Sequence, residues 1–190
     1  MLVGLYFGSF NPIHNGHLII AQAVLELSGL DEIWFIVSPQ NPLKKNKGLL
    51  HEFDRYDMVS LAIEDNDRFK VSDIEFNMPR PSYTIDTLTY LDEKYREHKF
   101  ELIIGGDNLA ILPKWKNSNR IVEDFGLIVY PRPGSDDSKN LQHPNIRYVK
   151  APLLDISATY IRNCIKENKS IQYLLPEKVA TFIYDRKLYT

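Results

Sequence analysis

Gly4-Leu5-Tyr6-Phe7-Gly8-Ser9-Phe10-Asn11-Pro12-Ile13-His14-Asn15-Gly16-His17-Leu18 is the stretch on which the reading of this chain turns. The apolar run from Leu2 to Phe7 reads as a strand buried on both faces of a parallel sheet. It enters a turn of small residues. Gly8 and Ser9 leave room for the backbone to approach a ligand, and Pro12 stiffens the turn by fixing its own φ. His14 and His17 are three apart, which puts both on one face of the first turn of the helix that follows. A helix start exposes unpaired N–H groups and the positive end of the dipole, which suits an anion. Two imidazoles there suggest a polyphosphate whose charge grows during a reaction. The plain alternative is a helix start with ordinary polar residues.

Working outward, apolar residues at Leu18, Ile19, Ala21, Ala23, Val24, Leu25 and Leu27 predict a helix over 15–28, with Gly29 as its C-cap. A second strand, Glu32 to Val37, stops at Ser38-Pro39, and the unit predicts a right-handed crossover between parallel strands. Further strands are expected at Phe69–Ile74, Phe100–Ile104, Phe125–Tyr130 and Ile146–Val149. Helices are expected at 55–63 with Asp54 as N-cap, from Ser82-Tyr83-Thr84 to about Glu97, at 157–168, and at 176–186 with Pro176 at its start. Ser135 to Pro144 is polar and reads as a surface loop. Strand and helix alternate without linker or repeat. That predicts an α/β fold, a doubly wound, Rossmann-like parallel sheet with helices on both faces. The expectation is one domain over 1–190 that includes the C-terminal helices at 157–186. In such sheets ligands lie beyond the carboxyl ends of the strands, so Gly8–His17, Ser38–Lys47, Gly105–Trp115 and Pro131–Gly134 are the segments to inspect. No Gly-rich dinucleotide fingerprint follows the first strand and no GxxxxGK[ST] occurs, so the usual NAD-binding and P-loop readings fail.

Composition narrows the partners. A chain of 190 residues, 44% hydrophobic and 25% charged, is long enough to bury a full core. A net charge of -2 argues against nucleic-acid and membrane-surface binding, which usually need a basic excess. The Lys44–Lys47 cluster reads as a solvated loop. The single cysteine, Cys164, excludes an internal disulfide, suits a reducing cytoplasm and reads as a small buried apolar residue. No signal peptide and no bilayer-length apolar run is visible. A cytoplasmic location is therefore expected, with oligomeric state, homo-oligomer included, left open.

Two later segments carry more chemistry. In Ile156-Ser157-Ala158-Thr159-Tyr160-Ile161-Arg162, hydroxyls that can cap a helix stand one turn from a guanidinium, a combination suited to phosphate. A capped helix with an exposed Arg is the alternative. Asp107, after Gly105-Gly106, could accept from a ribose hydroxyl or adenine amine, or cap the next helix. Trp115 offers a flat face to an aromatic ligand, although a lone Trp is more often core.

The opening stretch resembles the HxGH signature, GxFxPxHxGH, of the nucleotidyltransferase superfamily of adenylyl and cytidylyl transferases. Gly8, Phe10, Pro12, His14, Gly16 and His17 fill each of its fixed positions. Ile156 to Arg162 resembles the accompanying ISxTxxR motif, with Ala158 where Ser is commoner. Ile103-Ile104-Gly105-Gly106-Asp107-Asn108-Leu109 with Leu112 to Trp115 is similar to the IGxDxLxxLxxW segment of bacterial nicotinate-nucleotide adenylyltransferases. Pro81 to Leu88 is similar to their PSYTxDTL segment. Asn41 to Lys45 resembles their NPxHK loop, with Lys44 in place of His.

The resemblance implies transfer of AMP from ATP to nicotinate mononucleotide, giving deamido-NAD and pyrophosphate. It implies an ATP site of Gly8, Ser9, Phe10, His14, Gly16, His17, Gly105, Asp107, Ser157, Thr159 and Arg162, with His14, His17 and Arg162 catalytic. It places Asn41 and Lys45 at the mononucleotide phosphate, Trp115 on the pyridine ring, and the backbone at Tyr83-Thr84 on its carboxylate. Mg²⁺ is expected to arrive on the triphosphate, since the sequence holds no dense carboxylate cluster. An enzyme preferring the amide mononucleotide, a phosphopantetheine transferase and a non-catalytic nucleotide-binding module are the competing readings. The Tyr83-Thr84 and Trp115 segments argue against phosphopantetheine.

Overall fold

The structure is a computed structural model that describes residues 1–40, 48–132 and 141–190. Asn41, Lys45 and the rest of that lysine loop lie outside the described residues, as does most of the Ser135–Pro144 segment.

Six strands form one parallel sheet: β1 Leu2–Gly8, β2 Glu32–Val37, β3 Phe69–Ser72, β4 Lys99–Gly105, β5 Leu127–Tyr130 and β6 Ile146–Tyr148. Their order is β3-β2-β1-β4-β5-β6, all neighbours parallel, so the chain reverses direction across the sheet between β1 and β4. The doubly wound fold expected from alternating strands and helices is present.

Side chains alternate across the sheet with the strand period of two. Tyr6, Phe35, Ile103 and Ile128 enter a core on one face, shared with α1 Asn15–Ser28, α2 Glu52–Ile63, and the C-terminal helices named below. Leu5, Trp34, Ile36, Leu102 and Val129 enter the other core, under α3 Thr84–Lys94. Short α4 Gly106–Ile111 follows β4, and the one-turn α5 Ser118–Arg120 runs into a π-helical turn, Ile121–Phe125. The chain ends with α6 Ala158–Lys166 and α7 Glu177–Asp185, whose Ile161, Cys164, Ile165, Val179 and Ile183 are buried in the first core. No helix among the described residues is long and apolar enough to cross a membrane.

Several element ends differ from expectation for local reasons. α2 starts at Glu52 rather than after Asp54, because the His51 imidazole accepts from the Phe53 N–H and takes the cap. Asp54 instead pairs with Arg186 at 3.0 Å. β3 stops at Ser72, and Ile74–Asn77 is a 3₁₀ turn rather than strand. α3 ends at Lys94, short of Glu97. Phe125 belongs to the π-helical turn, and β5 begins only after Gly126, whose φ of 82° and bond to the Ile121 carbonyl close that turn. Gly29 does adopt the left-handed C-cap conformation, at φ 67°.

Candidate active site

The reversal between β1 and β4 leaves a crevice beyond the carboxyl ends of those strands, where ligands bind in sheets of this kind. The turn after β1 forms one wall. Its Phe10 has φ 45° and is buried edge-on against Tyr6 at 5.8 Å and His17 at 5.2 Å. A Cβ on Gly8 would stand 2.7 Å from the Phe10 ring, so only glycine allows that packing.

His14 is the N-cap of α1 and His17 its third residue, and their rings stack with centroids 3.7 Å apart. A Cβ on Gly16 would lie 3.0 Å from His14 Nδ1, so the glycine between the histidines makes room for the first ring. The His14 backbone N–H donates to His17 Nδ1 at 3.3 Å. That acceptor role leaves the proton of neutral His17 on Nε2. Burial, then the Arg132 charge, lowers His14 to about 4. Burial, then His14 and Arg132, holds His17 well below the usual histidine range. Both shifts favour the neutral imidazole near pH 7. His14 Nδ1 is buried with no hydrogen-bond partner among the described residues.

The turn is tied down from several elements. Arg55 on α2 is completely buried and donates to four main-chain carbonyls: Ser9 at 2.5 Å, Ser38 at 2.8 Å, Leu50 at 3.0 Å and Pro39 at 3.2 Å. Asn11 donates to the Gly48 carbonyl and accepts from the Leu50 N–H and the Tyr189 hydroxyl. Arg162 donates to the Asn11 carbonyl at 2.7 Å and to Thr159 Oγ1 at 3.1 Å, while Ser157 caps α6 through the Tyr160 N–H. The Ser157–Arg162 segment thus meets the histidine turn, as the paired motifs imply. One amide of the α1 start is spoken for, because Asn15 N–H donates to the Leu174 carbonyl.

Across the crevice, Asp107 sits in the first turn of α4, whose N-cap is Gly105. Instead of capping, its carboxylate lies 3.6 Å from Arg132, just past the end of β5. Arg132 also lies over the Tyr130 ring, and the Tyr130 and Tyr6 hydroxyls bond at 3.2 Å.

Beside these groups opens a cavity of about 270 Å³. Gly8 and Ser9 border it on the histidine side, and Tyr83, Thr84 and Trp115 line the far side. Tyr83 is the N-cap of α3, so the first N–H groups of that helix start at the cavity. Lys116 spans this wall, over the Tyr83 ring at 4.9 Å and bonded to both Asp86 oxygens. Trp115 Nε1 is buried without a partner among the described residues. Glu75, almost fully buried, also lines the cavity and accepts from Thr87 Oγ1 at 2.7 Å and Ser82 Oγ at 3.1 Å.

The sequence reading passed over Arg55, Glu75, Arg132 and Tyr189. Arg132 lay in one of the post-strand segments marked for inspection. Arg55 shares a face with Met58 and Val59, the only hint in the sequence that it turns inward.

Residues 5–164 match the cytidylyltransferase-like family model. A relative from Cytophaga hutchinsonii described as a "probable nicotinate-nucleotide adenylyltransferase" is 57% identical over 190 residues, all of this chain and 99% of the relative. One of the same description from Flavobacterium johnsoniae is 52% identical, covering 100% of this chain and 99% of its own length. The fold is similar to that of a Plasmodium falciparum nicotinic acid mononucleotide adenylyltransferase complexed with NaAD, with a TM-score of 0.84 at 20% identity, covering 99% of this chain and 97% of that one. The chain belongs to the cytidylyltransferase-like family and, within it, to the nicotinate-nucleotide adenylyltransferases.

Proposed function

We propose that residues 1–190 act as one nucleotidyltransferase domain that transfers AMP from ATP to nicotinate mononucleotide, releasing deamido-NAD and pyrophosphate. The observation that carries this reading is the juxtaposition of two stacked imidazoles with a cavity lined by Trp115 in one crevice. A triphosphate suits the first and a pyridine ring the second.

The mononucleotide phosphate is already an anion. It forms a new P–O bond to the α-phosphorus as the bond to the β-phosphate oxygen breaks, and needs no protein nucleophile. Rate enhancement then comes from positioning and charge stabilisation. His17, its tautomer fixed by the His14 N–H, offers Nε2–H to a phosphate oxygen, and His14 stands beside it. Arg162 uses two contacts to hold its place and turns further donors of its fork to the phosphates. Gly8, Ser9 and Phe10 shape the nucleotide side, Gly105 and Asp107 meet the adenosine, and Ser157 and Thr159 assist on phosphate. Tyr83 and Thr84 N–H groups take the pyridine carboxylate while Trp115 stacks on the ring. Asn41 and Lys45 are assigned to the mononucleotide phosphate. Magnesium enters as part of the substrate, on ATP. Among the described residues no group of three or more His, Cys, Asp or Glu is placed to hold a metal.

The test incubates purified protein with MgATP and either the acid or the amide mononucleotide, following pyrophosphate and dinucleotide together. The expected result is deamido-NAD formation with a clear preference for the acid. Preference for the amide would reassign the pyridine substrate, and no pyrophosphate with either would remove the transferase reading.

A further inference from the structure

Among the described residues Glu75 is the one carboxylate lining the cavity, and the proposed reaction has not used it. It sits in the 3₁₀ turn after β3, at 2% exposure. Hydroxyl donors converge on it: Thr87 on one oxygen, Ser82 on the other, and Ser38 as a third contact. A carboxylate only accepts, so converging donors match the ionised form. Burial nonetheless pushes its pKa up, and the hydroxyls offset that in part. No ion pair to Glu75 occurs among the described residues. Of the two ammonium groups on the cavity, Lys116 is held by Asp86, and Lys114 forms no described ion pair. A buried carboxylate without a cation is costly and ordinarily finds a partner.

We infer that Glu75 is the countercharge for a cationic aromatic ring, the N-ribosylated pyridinium of the substrate, bound between it and Trp115. This rests on the function proposed above and deepens it. A mononucleotide ring linked through nitrogen carries a positive charge whether its substituent is acid or amide. Glu75 therefore selects for ring charge, while the α3 amides address the carboxylate. Trp115 favours the same cation through its π face, and the hydroxyls of Ser38, Ser82 and Thr87 keep the carboxylate in place.

Titration calorimetry, with α,β-methylene ATP present to block turnover, compares nicotinate mononucleotide with its C-nucleoside isostere, 3-(5-phosphoribosyl)benzoate. The two ligands share shape, carboxylate and phosphate and differ in ring charge. The wild-type protein is expected to bind the pyridinium at least tenfold more tightly, and Glu75→Gln to bring the ratio close to one by losing affinity only for the pyridinium. Thr87→Val, which keeps the carboxylate but loosens its support, is expected to lower the ratio in the same direction by a smaller factor. Equal affinity of the wild type for both ligands overturns the inference without any variant. A Glu75→Gln variant that weakens both equally, or neither, overturns it too and leaves Glu75 a support for α3. Binding of neither ligand to the wild type overturns the transferase reading, and this inference with it.

Discussion

The histidine turn and the Tyr83–Trp115 wall face each other across one crevice, yet they are held to different degrees. The turn is fixed from α2, α6 and the chain's last residues, through Arg55, Asn11, Arg162 and Tyr189, before any ligand arrives. The far wall is tied at fewer points, by Lys116 on Asp86 and by Ser82 and Thr87 on Glu75. Among the described residues, that wall keeps a buried indole N–H without a partner and a carboxylate without a cation. A wall meeting a spreading charge gains from stiffness, because preorganised donors need not reorganise as the reaction proceeds. On the reaction proposed above, the wall that meets the ring keeps polar groups for the substrate to satisfy.

Perturbing the stiff side is expected to give the largest losses. Arg55→Ala strips four main-chain carbonyls of their donor in a buried place, and should cost 3 kcal/mol or more of stability. Urea unfolding reads this, and a change under 1 kcal/mol would show that the turn does not depend on the guanidinium. His17→Ala should leave the fold and the KM for the mononucleotide near normal while lowering kcat by about 10²–10³-fold, the range for losing one preorganised donor. Near-normal turnover would remove His17 from the chemistry.

Acid should weaken the same turn. His14 is held at about 4 in the folded chain against an ordinary histidine value of 6.5. Between those values the unfolded chain binds a proton the folded chain refuses, so stability falls as pH drops from 6.5 to 4. The loss is on the order of 2–3 kcal/mol. Denaturant midpoints across that range, flattened in His14→Asn, check it.

The far wall should answer differently. Trp115→Ala is expected to raise the KM for the mononucleotide roughly tenfold, in line with about 1–3 kcal/mol for a base on an aromatic face, with little change in kcat. An unchanged KM would take Trp115 out of the pocket. The smallest effect belongs to Tyr189→Phe, which removes the hydroxyl bond to Asn11 and should cost about 1 kcal/mol of stability. A loss well above that would mean the C-terminal contact anchors more of the turn than one hydrogen bond.

The two walls also differ in how far the sequence exposed them. The histidine turn could be read because its constraints are local: a strand, small residues, and imidazoles three apart produce the geometry by themselves. The parallel sheet with helices on both faces was legible for the same reason, through apolar runs alternating with helical spacing, whereas the strand order was not. Glu75 and Arg55 were not. A glutamate in an irregular segment and an arginine in an amphipathic helix are ordinarily solvent-facing. Only tertiary contacts with Ser82, Thr87 and the β1 and β2 loops turn them inward. Phe125 was assigned to β5 because a π-helical turn leaves no periodicity to detect.

Tyr189 reaches Asn11 across 178 positions of sequence, and the Leu174 carbonyl meets Asn15 at the same turn. During synthesis the first strand emerges long before these partners exist. The histidine turn gains these ties only after Leu174 and Tyr189 have emerged, because contacts so far apart in sequence close late in folding. Until α6, α7 and the residues after them dock, a growing chain carries both histidines but lacks the Arg162 and Tyr189 ties that set their turn. Acquisition of nucleotide binding should therefore be one of the last events in the protein's folding.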